Sequence, residues 1–139
     1  MKHDILFLDD NETLTALIAD YLDRHGYTVY RAHNVAQATA LLSKRVYSMV
    51  LIDIRLSGNS LAGLEFACHL QEQSPWMPLM LFSACISPQV DLETTRRKIK
   101  IVSKPKPLPE LKAIIDSYLY EKYSRPLQAD GAERTTKIA

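Results

Sequence analysis

Five short apolar runs alternate along this chain with stretches of helical periodicity, and almost every run stops at a polar residue. That alternation admits few folds. A short, continuous apolar run is buried on both faces, and amphipathic helices between such runs cover a parallel sheet from both sides. The expectation is an α/β protein with a doubly wound sheet.

The runs are Ile5-Leu6-Phe7-Leu8, ending at Asp9-Asp10; Tyr27-Thr28-Val29-Tyr30, β-branched and aromatic; and Met49-Val50-Leu51-Ile52, ending at Asp53. Leu79-Met80-Leu81-Phe82 follows, ending at Ser83, and then Ile99 to Val102, ending near Lys104-Pro105. Between them, Leu14, Leu17, Ile18, Tyr21 and Leu22 mark a helix closed by His25-Gly26. Asn34 is placed to cap a second helix carrying Val35, Ala38, Leu41 and Leu42. A third runs from about Gly63 to Gln73 after a flexible loop. Ser87-Pro88 starts a fourth, with Asp91 and Glu93 suited to its first turn. The fourth is predicted to be short, because Thr94-Thr95 and the basic residues after them interrupt its apolar face. Leu108, Leu111, Ile114, Ile115, Tyr118 and Leu119 form the last. From about Ser124 the chain turns polar, so residues 1–123 are read as the domain and 124–139 as a tail or linker stub.

With 139 residues, an apolar fraction of 47% and a charged fraction of 24%, the chain is long enough for one ordinary core. A formal net charge of +1 supplies no global field toward nucleic acid or membrane. No apolar stretch approaches the ~20 residues of a membrane helix. Cys68 and Cys85 form no local metal or redox motif, and the start resembles no signal peptide, so a reduced, cytoplasmic setting is expected. His3, His25, His33 and His69 lack ligand spacing and are read as surface or structural. Cys85 is read as a small, partly buried residue. The bases Arg96, Arg97, Lys98, Lys100, Lys104 and Lys106 read first as a solvated face and second as a docking surface for an acidic partner. Nucleic-acid binding ranks last, since no aromatics interleave them.

In sheets of this kind, ligands bind at the carboxyl ends of the strands. Asp9, Asp10, Asp53, Ser83 and Lys104 all follow strands, four different ones, so the topology delivers them to one edge. Acidic residues at a helix start also serve as caps, which is the plain reading of Asp9-Asp10 taken alone. Together with Asp53 they point elsewhere. Three carboxylates crowded together repel, and a hard divalent cation such as Mg2+ relieves that repulsion. Lys104, Ser83 and the cation could then share the charge of a phosphoryl group, with Asp53 as nucleophile.

Asp9-Asp10, Asp53, Ser83-Ala84 and Lys104-Pro105 at those four strand ends resemble the receiver domains of two-component response regulators, over residues 3 to 122. The resemblance implies a flavodoxin-like (CheY-like) fold with strand order 2-1-3-4-5. It implies Mg2+ held by Asp10, Asp53 and the backbone carbonyl of Arg55, with Asp9 acting through water. It also implies phosphorylation of Asp53 by a histidine kinase or phosphotransfer protein, Ser83 and Lys104 on the phosphoryl oxygens, and a Lys104-Pro105 bond that is often cis. A further protein partner of unknown identity would take the output, and a homodimer is among the open options. Neither nucleic acid nor membrane is implied as a partner. The chain is expected to be either a stand-alone regulator or the front of a longer one.

Several positions depart from that pattern. Ser57 stands where the family usually has proline, and the loop before Gly63 is about two residues longer. Ile101 replaces the aromatic residue three before the lysine, and Arg96-Arg97-Lys98 replaces a small-residue segment. Arg55 and Cys85 hold the positions that tune dephosphorylation, and neither can orient an attacking water, so no special shortening of the phosphoryl lifetime is expected. Two other readings compete. One is a receiver-like adaptor that works without phosphorylation. The other is a haloacid-dehalogenase-type phosphatase, suggested by Phe7 to Leu14, though Asn11 stands where that motif needs a second aspartate.

Overall fold

All five apolar runs form strands in a computed structural model, which describes residues 3–124. The strands are β1 (His3–Leu8), β2 (Tyr27–Ala32), β3 (Met49–Asp53), β4 (Leu79–Ser83) and β5 (Lys100–Ser103). The helices are α1 (Glu12–Asp23), α2 (Val35–Leu42), α3 (Ala62–Gln73), α4 (Pro88–Arg97) and α5 (Leu108–Tyr123). Apart from Ser124, the expected tail lies outside the described residues. The chain divides into two compact units, Met1–Leu108 and Pro109–Ala139.

Within the first unit every strand pair is parallel and the order is β2-β1-β3-β4-β5, as the doubly wound reading requires. The chain steps from β1 to β2 in one direction and then returns to fill β3, β4 and β5 in the other. Because such crossovers are right-handed, α1 covers one face and α2, α3 and α4 the other. The strand residues sort accordingly. Leu6, Leu8, Val50, Ile52, Leu79 and Leu81 join Ala38, Leu64, Phe66 and Val90 of the helices in one buried cluster. Their alternates Ile5, Phe7, Met49, Leu51, Met80 and Phe82 point to the side of α1, where Ile18 and Leu22 are buried. Each such side chain stabilises the fold by about 1.5–3 kcal/mol.

The helix starts follow capping chemistry. Asn11, Asn34 and Ser87 each accept, through the side chain, a backbone N–H three residues on. The capping of α1 thus falls to Asn11 rather than to Asp9 or Asp10. Gly26, with φ 99, makes the left-handed turn that leads α1 into β2. One expectation fails: α4 is not curtailed, and at ten residues it is longer than α2. Thr94 does not break it, because its buried hydroxyl donates to the carbonyls of Val90 and Asp91 inside the helix. In the second unit, α5 buries Leu111, Ile115 and Leu119 at helical spacing.

Candidate functional site

The strand order reverses beside β1, and the crevice at the carboxyl ends of β1 and β3 is where such sheets bind ligands. A cleft of about 470 Å³ opens there, lined by Asp9, Asp10, Asp53, Arg55, Ser83, Cys85 and Lys104 among others. Every residue expected at the site is therefore brought to one place. Asp9, Asp10 and Asp53 each offer a carboxylate oxygen, all within 4.8 Å of one another. Asp9 is fully buried and Asp53 nearly so, whereas Asp10 is exposed.

Lys104 follows β5, and its backbone N–H donates to the Ser83 carbonyl, which ties the ends of β4 and β5 together. The Lys104-Pro105 bond is cis. The Lys104 ammonium donates to Asp9 Oδ2 at 2.7 Å and lies 3.4 Å from Asp53 Oδ1, so it is shared between the two buried carboxylates. A buried charge needs such a partner. Asp9 is held again by the Asn11 N–H at 2.9 Å. Burial, with the neighbouring Asp9 charge, pushes the Asp53 carboxyl up to about 6, against the opposing pull of Lys104 and the Arg55 N–H.

Ser83 is buried at the end of β4. Its hydroxyl donates to the Cys85 carbonyl at 2.9 Å and accepts the Cys85 N–H at 3.2 Å. Cys85 itself is exposed rather than partly buried, and its thiol is free.

The segment after Asp53 differs most from its expectation. In place of a slack loop it holds a small hairpin, in which Leu56 and Asn59 exchange both backbone hydrogen bonds, at 3.1 and 2.9 Å. Ser57 and Gly58 form the turn with φ of 53 and 78, both left-handed, as hairpin turns of this length require. Proline cannot take that conformation. The departure at Ser57 therefore has a structural cause, at a cost of about 1–2 kcal/mol for a non-glycine residue in this region. The Ser57 N–H, which a proline would lack, donates to Asp10 Oδ2 at 2.7 Å. Nothing in the spacing of the sequence announced this contact; the missing proline was the one signal for it.

At the base of the hairpin, the Gly63 N–H donates to the Ile54 carbonyl at 2.7 Å. A Cβ on Gly63 would lie 1.8 Å from the carbonyl oxygen of Asp53. Only glycine lets α3 begin so close to the end of β3.

The basic segment is only partly a solvated face. Arg97 donates to Glu93 at 2.6 Å within α4, and to Gln71 and Glu72 of α3, both at 3.2 Å. Gln71 in turn donates to the Arg97 carbonyl at 2.8 Å. Ile101 is half-buried and packs against the main apolar cluster. His3, His25 and His33 make hydrogen bonds with Ser48, Tyr21 and Thr15, away from the cleft, in keeping with structural roles.

The family profile described as a response regulator receiver domain matches residues 5–116. This chain belongs to that family. Among relatives of the receiver, the nitrogen assimilation regulatory protein NtrX of Azorhizobium caulinodans is 32% identical over 83 residues, 60% of this chain and 18% of that protein. A putative NtrX-like response regulator of Rickettsia felis is 35% identical over 80 residues, 58% of this chain and 17% of its own length. The matched receiver segment thus spans less than a fifth of these curated relatives. The crystal structure of the NtrX receiver domain from Brucella abortus aligns with a TM-score of 0.74 at 26% identity, over 84% of this chain and 98% of that one. A CheY-like receiver domain from Methanospirillum hungatei gives 0.81 over 89% and 98%, at 20% identity, a likeness of fold. No helix among the described residues is long and apolar enough to cross a membrane.

Proposed function

We propose that this receiver is a phosphorylation switch that takes a phosphoryl group onto Asp53 from a histidine kinase or phosphotransfer protein. The reading rests on one observation above all: a lysine shared between two buried carboxylates, with a third carboxylate and a buried serine hydroxyl around the same cleft. The donor set suits a hard divalent cation, being all carboxylate with no thiolate or imidazole. Mg2+ would be held by Asp10, Asp53 and the Arg55 carbonyl, with Asp9 acting through water, and would supply neutralising charge to the carboxylates and the incoming phosphoryl oxygens.

An oxygen of the Asp53 carboxylate forms the new bond to phosphorus, and the bond to the donor breaks. A phosphohistidine donor leaves with the electron pair and takes up a proton at its ring nitrogen. Raised only to about 6, the Asp53 carboxyl is mostly ionised at neutral pH and able to attack. Lys104 offers its ammonium to a phosphoryl oxygen in place of the carboxylates it now bridges. Ser83 turns its hydroxyl from the Cys85 carbonyl toward another. Apart from self-phosphorylation by small donors and slow loss of the group, no enzymatic activity is ascribed to the domain, taken as residues 1–123. Its output is a change in protein contacts in the cytoplasm, with a downstream protein or a second copy of the chain.

The test is incubation with Mg2+ and acetyl phosphate, followed by intact mass and site mapping. Added phosphoryl mass confined to Asp53, lost in Asp53→Asn and blocked by chelation, is the expected result. No added mass, under conditions that load a control receiver, would sink the reading. A second reading, an adaptor that works without phosphorylation, draws on Ile101, a half-buried aliphatic residue packed against the core where an aromatic reporter is usual. It requires that Asp53→Asn leave partner binding unchanged.

A further inference from the structure

We propose that the backbone N–H of Ser57 is a positioning group for Asp10, holding that carboxylate in its metal-binding orientation. The proposal rests on the reading of Asp10 as a Mg2+ ligand. Asp10 is the exposed member of the three carboxylates. Asp9 is fixed by Lys104 and the Asn11 N–H, and Asp53 by Lys104 and the Arg55 N–H. The contact that orients Asp10 comes from the hairpin instead, at 2.7 Å from Ser57.

Two features make that contact a built one. The donor is held in place by the reciprocal Leu56 and Asn59 hydrogen bonds, and the hairpin neck by Gly63 on Ile54. The direction of the N–H depends on the left-handed backbone at Ser57, a conformation serine does not adopt without support. Groups that hydrogen-bond metal-binding carboxylates orient them, and losing such a partner weakens metal binding by about 10–100-fold. The segment after the phosphoacceptor therefore contributes to the metal site through a main-chain atom, whatever side chain stands there.

Mg2+ titration calorimetry on the whole chain tests this. Ser57→Pro removes the N–H and is expected to weaken binding about tenfold. Ser57→Ala and Ser57→Gly keep it and are expected to stay within about twofold of the parent. Equal or tighter binding in Ser57→Pro overturns the proposal, as does an equal loss in all three variants. A parent chain that binds no Mg2+ overturns the metal reading itself, and this proposal with it. Because Ser57→Pro could disturb the hairpin more widely, the Ser57 amide proton is followed by NMR in the parent. It should stay downfield through Mg2+ saturation; a return to an ordinary shift would show that the contact is released on metal binding and overturn the proposal.

Discussion

The edge of the sheet around Asp53 and the α4–β5 segment lie in one compact unit but relate to the family pattern in opposite ways. At the edge, the expected residues come together and hold one another: Lys104 bridges Asp9 and Asp53, and Ser83 is closed on Cys85. Across α4 and β5 the chain departs from the family pattern. Ile101 replaces an aromatic residue, and Arg97 fastens the end of α4 to Gln71 and Glu72 of α3. Chemistry constrains the first region tightly, because moving Lys104 leaves two buried carboxylates without their shared partner. The second region lies outside that charged cluster, and its contacts are set by packing and ion pairing between α3 and α4.

That contrast can be broken or sharpened by experiment. The largest effect is expected from Asp53→Asn, which should abolish phosphoryl uptake from acetyl phosphate, read by intact mass, while Arg97→Ala leaves it intact. If both variants lose uptake, the two regions are not separable.

Next is Gly63→Ala. Its Cβ would lie 1.8 Å from the Asp53 carbonyl oxygen, so α3 or the end of β3 must shift. A loss of about 3 kcal/mol is expected in urea unfolding, at the upper end for overpacking. No loss, or the gain of up to about 1 kcal/mol that alanine gives over glycine in an ordinary helix, would mean the edge is softer than its geometry suggests.

A similar or slightly smaller effect should appear in the pH dependence of stability with a chelator present. The Asp53 carboxyl is raised from 3.8 to about 6, so between those values the folded chain keeps a proton that the unfolded chain has released. Stability contributed by this group is therefore present at low pH and lost as pH rises toward 6. Asp53→Asn lacks that titration. It should be more stable than the parent by about 2–3 kcal/mol at pH 7, with the difference shrinking toward pH 4. A constant difference across the range would rule out burial of the charge as its source.

The smallest effect belongs to Arg97→Ala. Faster amide exchange in the last turn of α4, with α1 unchanged, is the expected outcome in hydrogen-exchange measurements. Unchanged exchange in α4 would remove the argument that Arg97 holds it.

Much of this was legible in the sequence because the apolar runs report burial directly and the residues ending them report the edge. Asn34, Ser87-Pro88 and Gly26 marked element boundaries by capping and turn chemistry, which acts locally and needs no tertiary context. Three features were not legible. Thr94 read as an interruption because a buried threonine's bond to its own helix cannot be told from an exposed one by spacing. Arg97 read as solvated because its partners on α3 lie 25 and 26 residues away in the chain. The Ser57 hydrogen bond is made by the main chain, and main-chain donors carry no residue signature.

The fastening at Gly63 and Ile54 has a consequence for how this loop can change length. Since α3 starts from a hydrogen bond at the hairpin's neck, residues added at the tip beyond Gly58 enlarge the hairpin without moving the helix or the strand end. Insertion at the tip is therefore expected to spare the frame that holds Asp53 while changing the turn that aims the Ser57 N–H at Asp10. A peptide grafted between Gly58 and Asn59 should on the same account leave Leu64 and Phe66 docked in the core and release Asp10 from Ser57.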